Sequence, residues 1–95
     1  MKIDLHIDYF EEDAVIVALC PELQVSSFGN TLDEAENSIK EALGLFFEGC
    51  ESLGTLNEVL EESGFRKIGD QWFYRQPIKS MRTTLQRPTG TAFYA

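Results

Sequence analysis

From Thr31 to Cys50 the chain carries an apolar stripe at helical spacing. Leu32, Ala35, Ile39, Ala42, Leu43, Phe46, Phe47 and Cys50 recur at steps of three and four. Glu34, Asn37, Lys40, Glu41, Glu48 and Glu51 fall mostly on the other side, so the stretch reads as one long amphipathic helix. Its start is marked by a capping box, in which Thr31 caps with its hydroxyl and Glu34, three positions on, reaches back. No other stretch has so wide an apolar face, so the rest of the chain must pack on this one.

The residues before the helix supply strands. Ile3, Leu5, Ile7 and Tyr9 alternate with Lys2, Asp4, His6 and Asp8, which predicts a half-buried strand. Glu11-Glu12-Asp13 follows as an acidic hairpin tip. Ala14 to Leu19 is continuously apolar and rich in Val and Ile, as suits a central strand covered on both faces. Pro21 ends it, because proline has no N–H for a ladder. Leu23 to Phe28 gives a third strand, and Gly29-Asn30 turns the chain into the helix. Three antiparallel strands and a helix across one face form the economical topology, an α+β fold.

After the helix, Gly54 breaks the pattern and Thr55 to Glu58 repeats the capping-box signature. A short second helix with Leu56, Val59 and Leu60 follows, stopped by Gly64 in the left-handed conformation that helix ends favour. Phe65 to Ile68 and Gln71 to Arg75 read as a C-terminal hairpin, with Gly69-Asp70 as a two-residue turn that places glycine first. Trp72, Phe73 and Tyr74 give the hairpin apolar area to dock, with Trp72 and Tyr74 facing the core. Beyond Pro77 no pattern is sustained: Thr83-Thr84-Leu85 suits a strand and Arg87 to Thr91 a loop. The last residues are expected to be mobile or held by a partner. The chain thus divides into residues 1–76, one α+β domain, and residues 77–95, a basic tail.

Ninety-five residues suffice for one domain with a limited core, which association would supplement. An unclosed sheet also has an edge to protect, so a homodimer or higher oligomer is expected. The sequence has no run of about 18 apolar residues and no basic-then-apolar leader, which predicts neither a membrane span nor a secretion signal. Cys20 and Cys50 lack metal-binding or redox spacing and are expected to be reduced and packed in the core. These features together suit a cytoplasmic protein.

The net charge of −8 conceals a split. Residues 1–62 carry 15 acids against Lys2 and Lys40, a net −13, whereas residues 63–95 carry six cations against Asp70, a net +5. Such a body repels nucleic acid and attracts a basic partner while the tail does the opposite; the alternative is a merely solubilising surface followed by a tail that folds back on it.

Catalysis finds little support. His6 is the sole histidine, so any Ser-His or Cys-His pair needs it. Asp4 and Asp8 flank it on one strand face, roughly 7 Å away on either side by strand rise, a set that suits a metal. That face is opposite Ile3, Leu5 and Ile7, and hence points to solvent. Nothing in the spacing brings Asp4, Asp8 and Glu41 together as a two-metal nuclease cluster, and the glycines make no phosphate loop. The expectation is a non-enzyme without metal or cofactor.

Several segments in order resemble one family. The acidic-tipped hairpin, Ala18-Leu19-Cys20-Pro21-Glu22-Leu23, Gly29-Asn30-Thr31-Leu32-Asp33-Glu34-Ala35 and Ala42-Leu43-Gly44-Leu45-Phe46 make residues 1–51 resemble the N-terminal domain of HicB-family antitoxins. Leu60-Glu61-Glu62-Ser63-Gly64-Phe65 is similar to the family's second short helix and return strand. The resemblance implies a partial ribonuclease-H-like β-β-β-α-β core without nuclease chemistry. It also implies neutralisation of a HicA-type toxin, a small basic protein that cleaves messenger RNA. Family members often end in a ribbon-helix-helix or helix-turn-helix module that binds the operator; here no helix pair follows Phe65, which leaves DNA binding open.

Two functions follow. As an antitoxin, the chain would meet its toxin through Glu11, Glu12 and Asp13, with charge speeding encounter and the aromatic hairpin adding grip. As a nucleic-acid-binding regulator, it would act through Arg66, Lys67, Arg75, Lys79, Arg82 and Arg87, with Trp72, Phe73 and Tyr74 interleaved among them.

Overall fold

The computed structural model describes residues 1–89. Among these, the elements in chain order are β1 (Lys2–Ile3), β2 (Asp8–Glu12), β3 (Val15–Cys20), β4 (Val25–Gly29), α1 (Leu32–Leu53), α2 (Leu56–Glu62), β5 (Phe65–Ile68) and β6 (Gln71–Tyr74). The strands form two three-stranded sheets, ordered β2-β3-β4 and β1-β6-β5. The class is α+β, in keeping with the sequence pattern.

The expected first strand is divided between the two sheets. Lys2 and Ile3 pair in parallel with Gln71 and Trp72, and the Asp4 N–H donates to the Trp72 carbonyl at 2.9 Å. After a connector at 4–7 the chain resumes as β2, antiparallel to β3. Alternation runs on through the break, since Ile3, Leu5 and Ile7 all pack against the core. The acidic tip is corrected as well. Glu11 and Glu12 are strand residues opposite Ile16 and Val15, and only Asp13 of the three sits in the turn. Asp13 and Ala14 both have positive φ (48° and 68°), the left-handed pair that a two-residue hairpin turn uses to match strand twist.

β3 also departs from expectation. α1 covers Ala18 and Cys20, but Val15, Val17 and Leu19 on the opposite face are only half-buried, so the strand is not enclosed on both sides. The third strand begins at Val25 rather than Leu23, because Pro21 to Gln24 form a turn in which Gln24 is left-handed at φ 58°.

α1 is tied at both ends by local chemistry. The Glu34 N–H donates to Thr31 Oγ1 at 3.1 Å, and the Glu34 carboxylate accepts from the Asn30 N–H at 2.9 Å, one residue earlier than an ordinary capping box. At the other end Gly54 is left-handed, its N–H donates to Glu51 and the Thr55 N–H to Cys50, which satisfies two terminal carbonyls. Ala35, Ile39, Leu43 and Cys50 are buried and Phe46 packs edge-on against Phe47, both half-buried. Leu32 shares the stripe's angle yet is 60 % exposed, because the helix first meets the sheet at Glu34 and Ala35. The second capping box does not form: Thr55 makes no side-chain cap, being recruited to close α1, and its hydroxyl leans on the Cys50 carbonyl at 3.5 Å.

Gly64 (φ 104°) ends the α2 region and Gly69 (φ 62°) opens the β5–β6 turn, both as expected. Trp72 is 2 % exposed, and Phe65 meets Tyr74 edge to face at 5.2 Å. Residues 75–89 take up no helix or strand, so Thr83 to Leu85 is not a strand; the part of the tail from residue 90 onward lies outside the described residues.

The glycines offer an opposed pair of tests. A Cβ on Gly29 would lie 2.5 Å from the Ala35 nitrogen, whereas one on Gly44 meets nothing within 4 Å. Gly29→Ala is expected to destabilise the fold by about 1–3 kcal/mol through forced separation of strand and helix. Gly44→Ala, at a mid-helix position, is expected to stabilise it by about 0.4–1 kcal/mol. Chemical denaturation of the two variants reads both signs.

Candidate functional site

The β2–β3 ladder projects the acidic end of its hairpin. Five residue pairs hold the ladder, from Asp8↔Leu19 to Glu12↔Val15, so the end is a stiff ribbon rather than a loose loop. Glu11, Glu12 and Asp13 are all exposed there. Pairing sets Glu11 on the α1 side of the sheet and Glu12 on the open side, with Asp13 at the tip. The three carboxylates therefore surround the hairpin end instead of lining one wall.

The six predicted cations do not form one surface. Arg66 and Arg75 meet across a cleft of about 680 Å³, lined also by Phe65, Ile68, Phe73 and Tyr74. The Arg75 guanidinium stands 5.8 Å over the Tyr74 ring, within cation–π reach. Gly64 makes room for this: its backbone passes so close that a Cβ would come within 3.3 Å of the Arg75 Nε. Lys67 is paired with Trp72 and so projects from the other side of the hairpin than Arg66. Lys79, Arg82 and Arg87 are strung along the irregular 75–89 segment, all exposed. Burial of Trp72 removes it from any stacking platform, leaving Phe73 as the aromatic turned away from the core.

His6 lies exposed, as its parity predicts, but its partners are only half foreseen. Nε2 is 2.9 Å from Asp8 Oδ1, and Nδ1 is 3.4 Å from Glu22 Oε2. The Glu22 side chain is 8 % exposed, and its other oxygen accepts from the Cys20 thiol at 3.5 Å. Asp4 does not join. The imidazole thus braces the 4–7 connector against the β3–β4 turn, a holding role that needs no reaction. Among the described residues no three His, Cys, Asp or Glu side chains gather to hold a metal.

Three features escaped the sequence reading. The Gly64–Gln76 cleft arises from a positive-φ glycine placed beside the exit of β6. The Glu22 contact crosses a four-residue turn. The third is an apolar row, Phe10, Val17 and Phe28, on the open side of β2-β3-β4. Placing the turn at Asp13-Ala14 would have revealed its Phe10–Val17 pair, since a two-residue turn fixes the β2–β3 register; Phe28 joins through the β3–β4 register. No helix among the described residues is long and apolar enough to cross a membrane.

No protein-family model, curated protein or solved structure matches this chain.

Cys20 and Cys50 are free and buried, as expected. Burial pushes the Cys20 thiol above its ordinary value of 9.0, with the Glu22 carboxylate adding to the rise. The unfolded thiol therefore ionises first as pH rises, and the folded state keeps its proton longer. Stability from this group is intact at neutral pH and falls from about pH 9 upward. Denaturation midpoints of wild type and Cys20→Ala between pH 7 and pH 10.5 should show a steeper alkaline decline in the wild type.

Proposed function

We propose that the protein is a HicB-like antitoxin that neutralises a small basic HicA-type, messenger-RNA-cleaving toxin by direct binding. The observation that carries this reading is the stiff acidic end of the β2–β3 ribbon on a body of net −13. An exposed cluster of Glu11, Glu12 and Asp13 on a paired ribbon can enter a basic concave surface without unfolding anything behind it. Charge of this kind mainly accelerates encounter and selects the partner. In this reading the chain performs no reaction of its own and acts in the cytoplasm, where reduced cysteines persist.

The finer fold assignment, a partial ribonuclease-H-like core, belongs to the same proposal. Three successive antiparallel strands precede α1, and a later strand, β6, returns parallel to the start of the chain. If β1 and β2 were one unbroken strand, the two sheets would join in the order β4-β3-β2/β1-β6-β5. The break at 4–7 is the departure from that plan.

A second reading, nucleic-acid binding through the basic segment, draws on the convergence of Arg66, Arg75 and Phe73 around one cleft. Such binding would weaken steeply with salt.

Reversing Glu11, Glu12 and Asp13 to lysine separates the two. Under the antitoxin reading, toxin association should slow by about tenfold or more at low salt and lose most of its salt dependence. Stability should change by less than about 1 kcal/mol, because these charges are exposed. Stopped-flow association at two salt concentrations checks this; unchanged rate and slope would place the contact elsewhere. Under the second reading the same variant would bind single-stranded nucleic acid more tightly.

A further inference from the structure

Sheet β2-β3-β4 has a face that α1 leaves open. Register sets Phe10 opposite Val17 and Val17 opposite Phe28, so an apolar row crosses all three strands. Val15 and Leu19 extend it along β3. Phe10 is 48 % and Phe28 65 % exposed, although each is large and wholly apolar. The rim on this face is acidic, with Asp8 opposite Leu19 and Glu12 opposite Val15. Contiguous apolar surface framed by polar groups marks a contact.

Residues 75–89 carry the complement. Ile78, Met81 and Leu85 are 106 %, 73 % and 76 % exposed, so the segment does not fold back on its own body. Beyond Arg75, which is held over the Tyr74 ring, it contains Lys79, Arg82 and Arg87 and no acid. The radius of gyration, 17.8 Å against roughly 12 Å for a compact chain of this length, reflects how far the segment stands away. One molecule thus presents an uncovered apolar face with acidic edges and an unattached apolar segment with basic charges.

We propose that residues 77–87 of one copy lie across the Phe10–Val17–Phe28 row of a second copy, and that the exchange is reciprocal. Ile78, Met81 and Leu85 supply the apolar contact, while Lys79 and Arg82 meet the Asp8 and Glu12 edges. Eleven extended residues span about 36 Å, long enough to cross a row about 10 Å wide. Two such contacts related by a two-fold axis close the assembly as a dimer and leave no open end. The proposal gives the expected self-association a surface, and it stands apart from the antitoxin reading because its test involves the chain alone.

The test uses two differently tagged copies, one with Val17→Cys and the other with Met81→Cys, co-expressed and mildly oxidised. Cys20 and Cys50, being buried, stay out of the reaction. The expected product is a disulfide-linked pair carrying both tags, and the wild type should have the mass of a dimer by light scattering at micromolar concentration. Phe28→Glu, or Ile78→Glu with Leu85→Glu, should each shift that mass to a monomer while the far-ultraviolet circular dichroism stays unchanged. A monomeric wild type would overturn the proposal. So would a dimer that survives the tail substitutions, or a failure of the two tagged copies to link while a third variant carrying both Val17→Cys and Met81→Cys links within one chain, which would mean each tail covers its own face.

Discussion

The close approach of β4 to the first turns of α1 is the constraint on which the structure depends. At Gly29 the strand backbone comes so near Glu34 and Ala35 that no side chain fits between them. This contact fixes the helix at one end, after which Ala35, Ile39 and Leu43 follow along the sheet at successive turns. A helix set down in this way covers Ala18 and Cys20 completely. Further along, Cys50 joins Leu56, Leu60, Phe65 and Trp72 in the same buried cluster, where α1 packs on α2 and α2 in turn meets the second sheet at β5.

The division into two sheets follows from what each end of the first segment can reach. Lys2 and Ile3 extend towards β6, whereas Asp8 to Glu12 lie alongside β3. The connector between them has no ladder of its own, and the contacts of His6 with Asp8 and Glu22 hold it in place. Trp72 lies where β1 and β6 meet the core, and its Nε1 has no hydrogen-bond partner among the described residues. An unpaired buried donor costs about 1–3 kcal/mol, which the burial of so large an aromatic surface offsets.

How much of this was legible depends on how local the signal is. α1 stood out because its apolar period repeats over many turns and because Thr31 and Gly54 mark its ends by side-chain chemistry and backbone freedom. The β5–β6 hairpin was equally clear, since glycine at the first turn position has a specific meaning. The break at 4–7 was hidden: alternation of Ile3, Leu5 and Ile7 reports which face is buried, not which strand lies alongside. Ala14 concealed the true hairpin turn, because alanine seldom adopts positive φ and gives no turn signal. Thr55 misled for the opposite reason, since its motif was present but its backbone N–H was already committed to α1. Within the candidate site, exposure of Glu11, Glu12 and Asp13 could be read from charge alone. The scattering of the six cations could not, because strand parity separates Lys67 from Arg66 and a distant glycine positions Arg75.

The parallel pairing of β1 with β6 has a consequence for the order in which the chain assembles. Sheet β2-β3-β4 and α1 join neighbours through short turns, so they can form as soon as residues 8–53 are available. Lys2 and Ile3 instead wait for Gln71 and Trp72. Closing a loop of that length costs roughly 4 kcal/mol of chain entropy beyond a constant term, with only a two-residue ladder to show for it. During synthesis the first strand therefore has no partner until Gln71 and Trp72 have emerged, and the β5–β6 hairpin is the element that ties β1 to the rest of the fold.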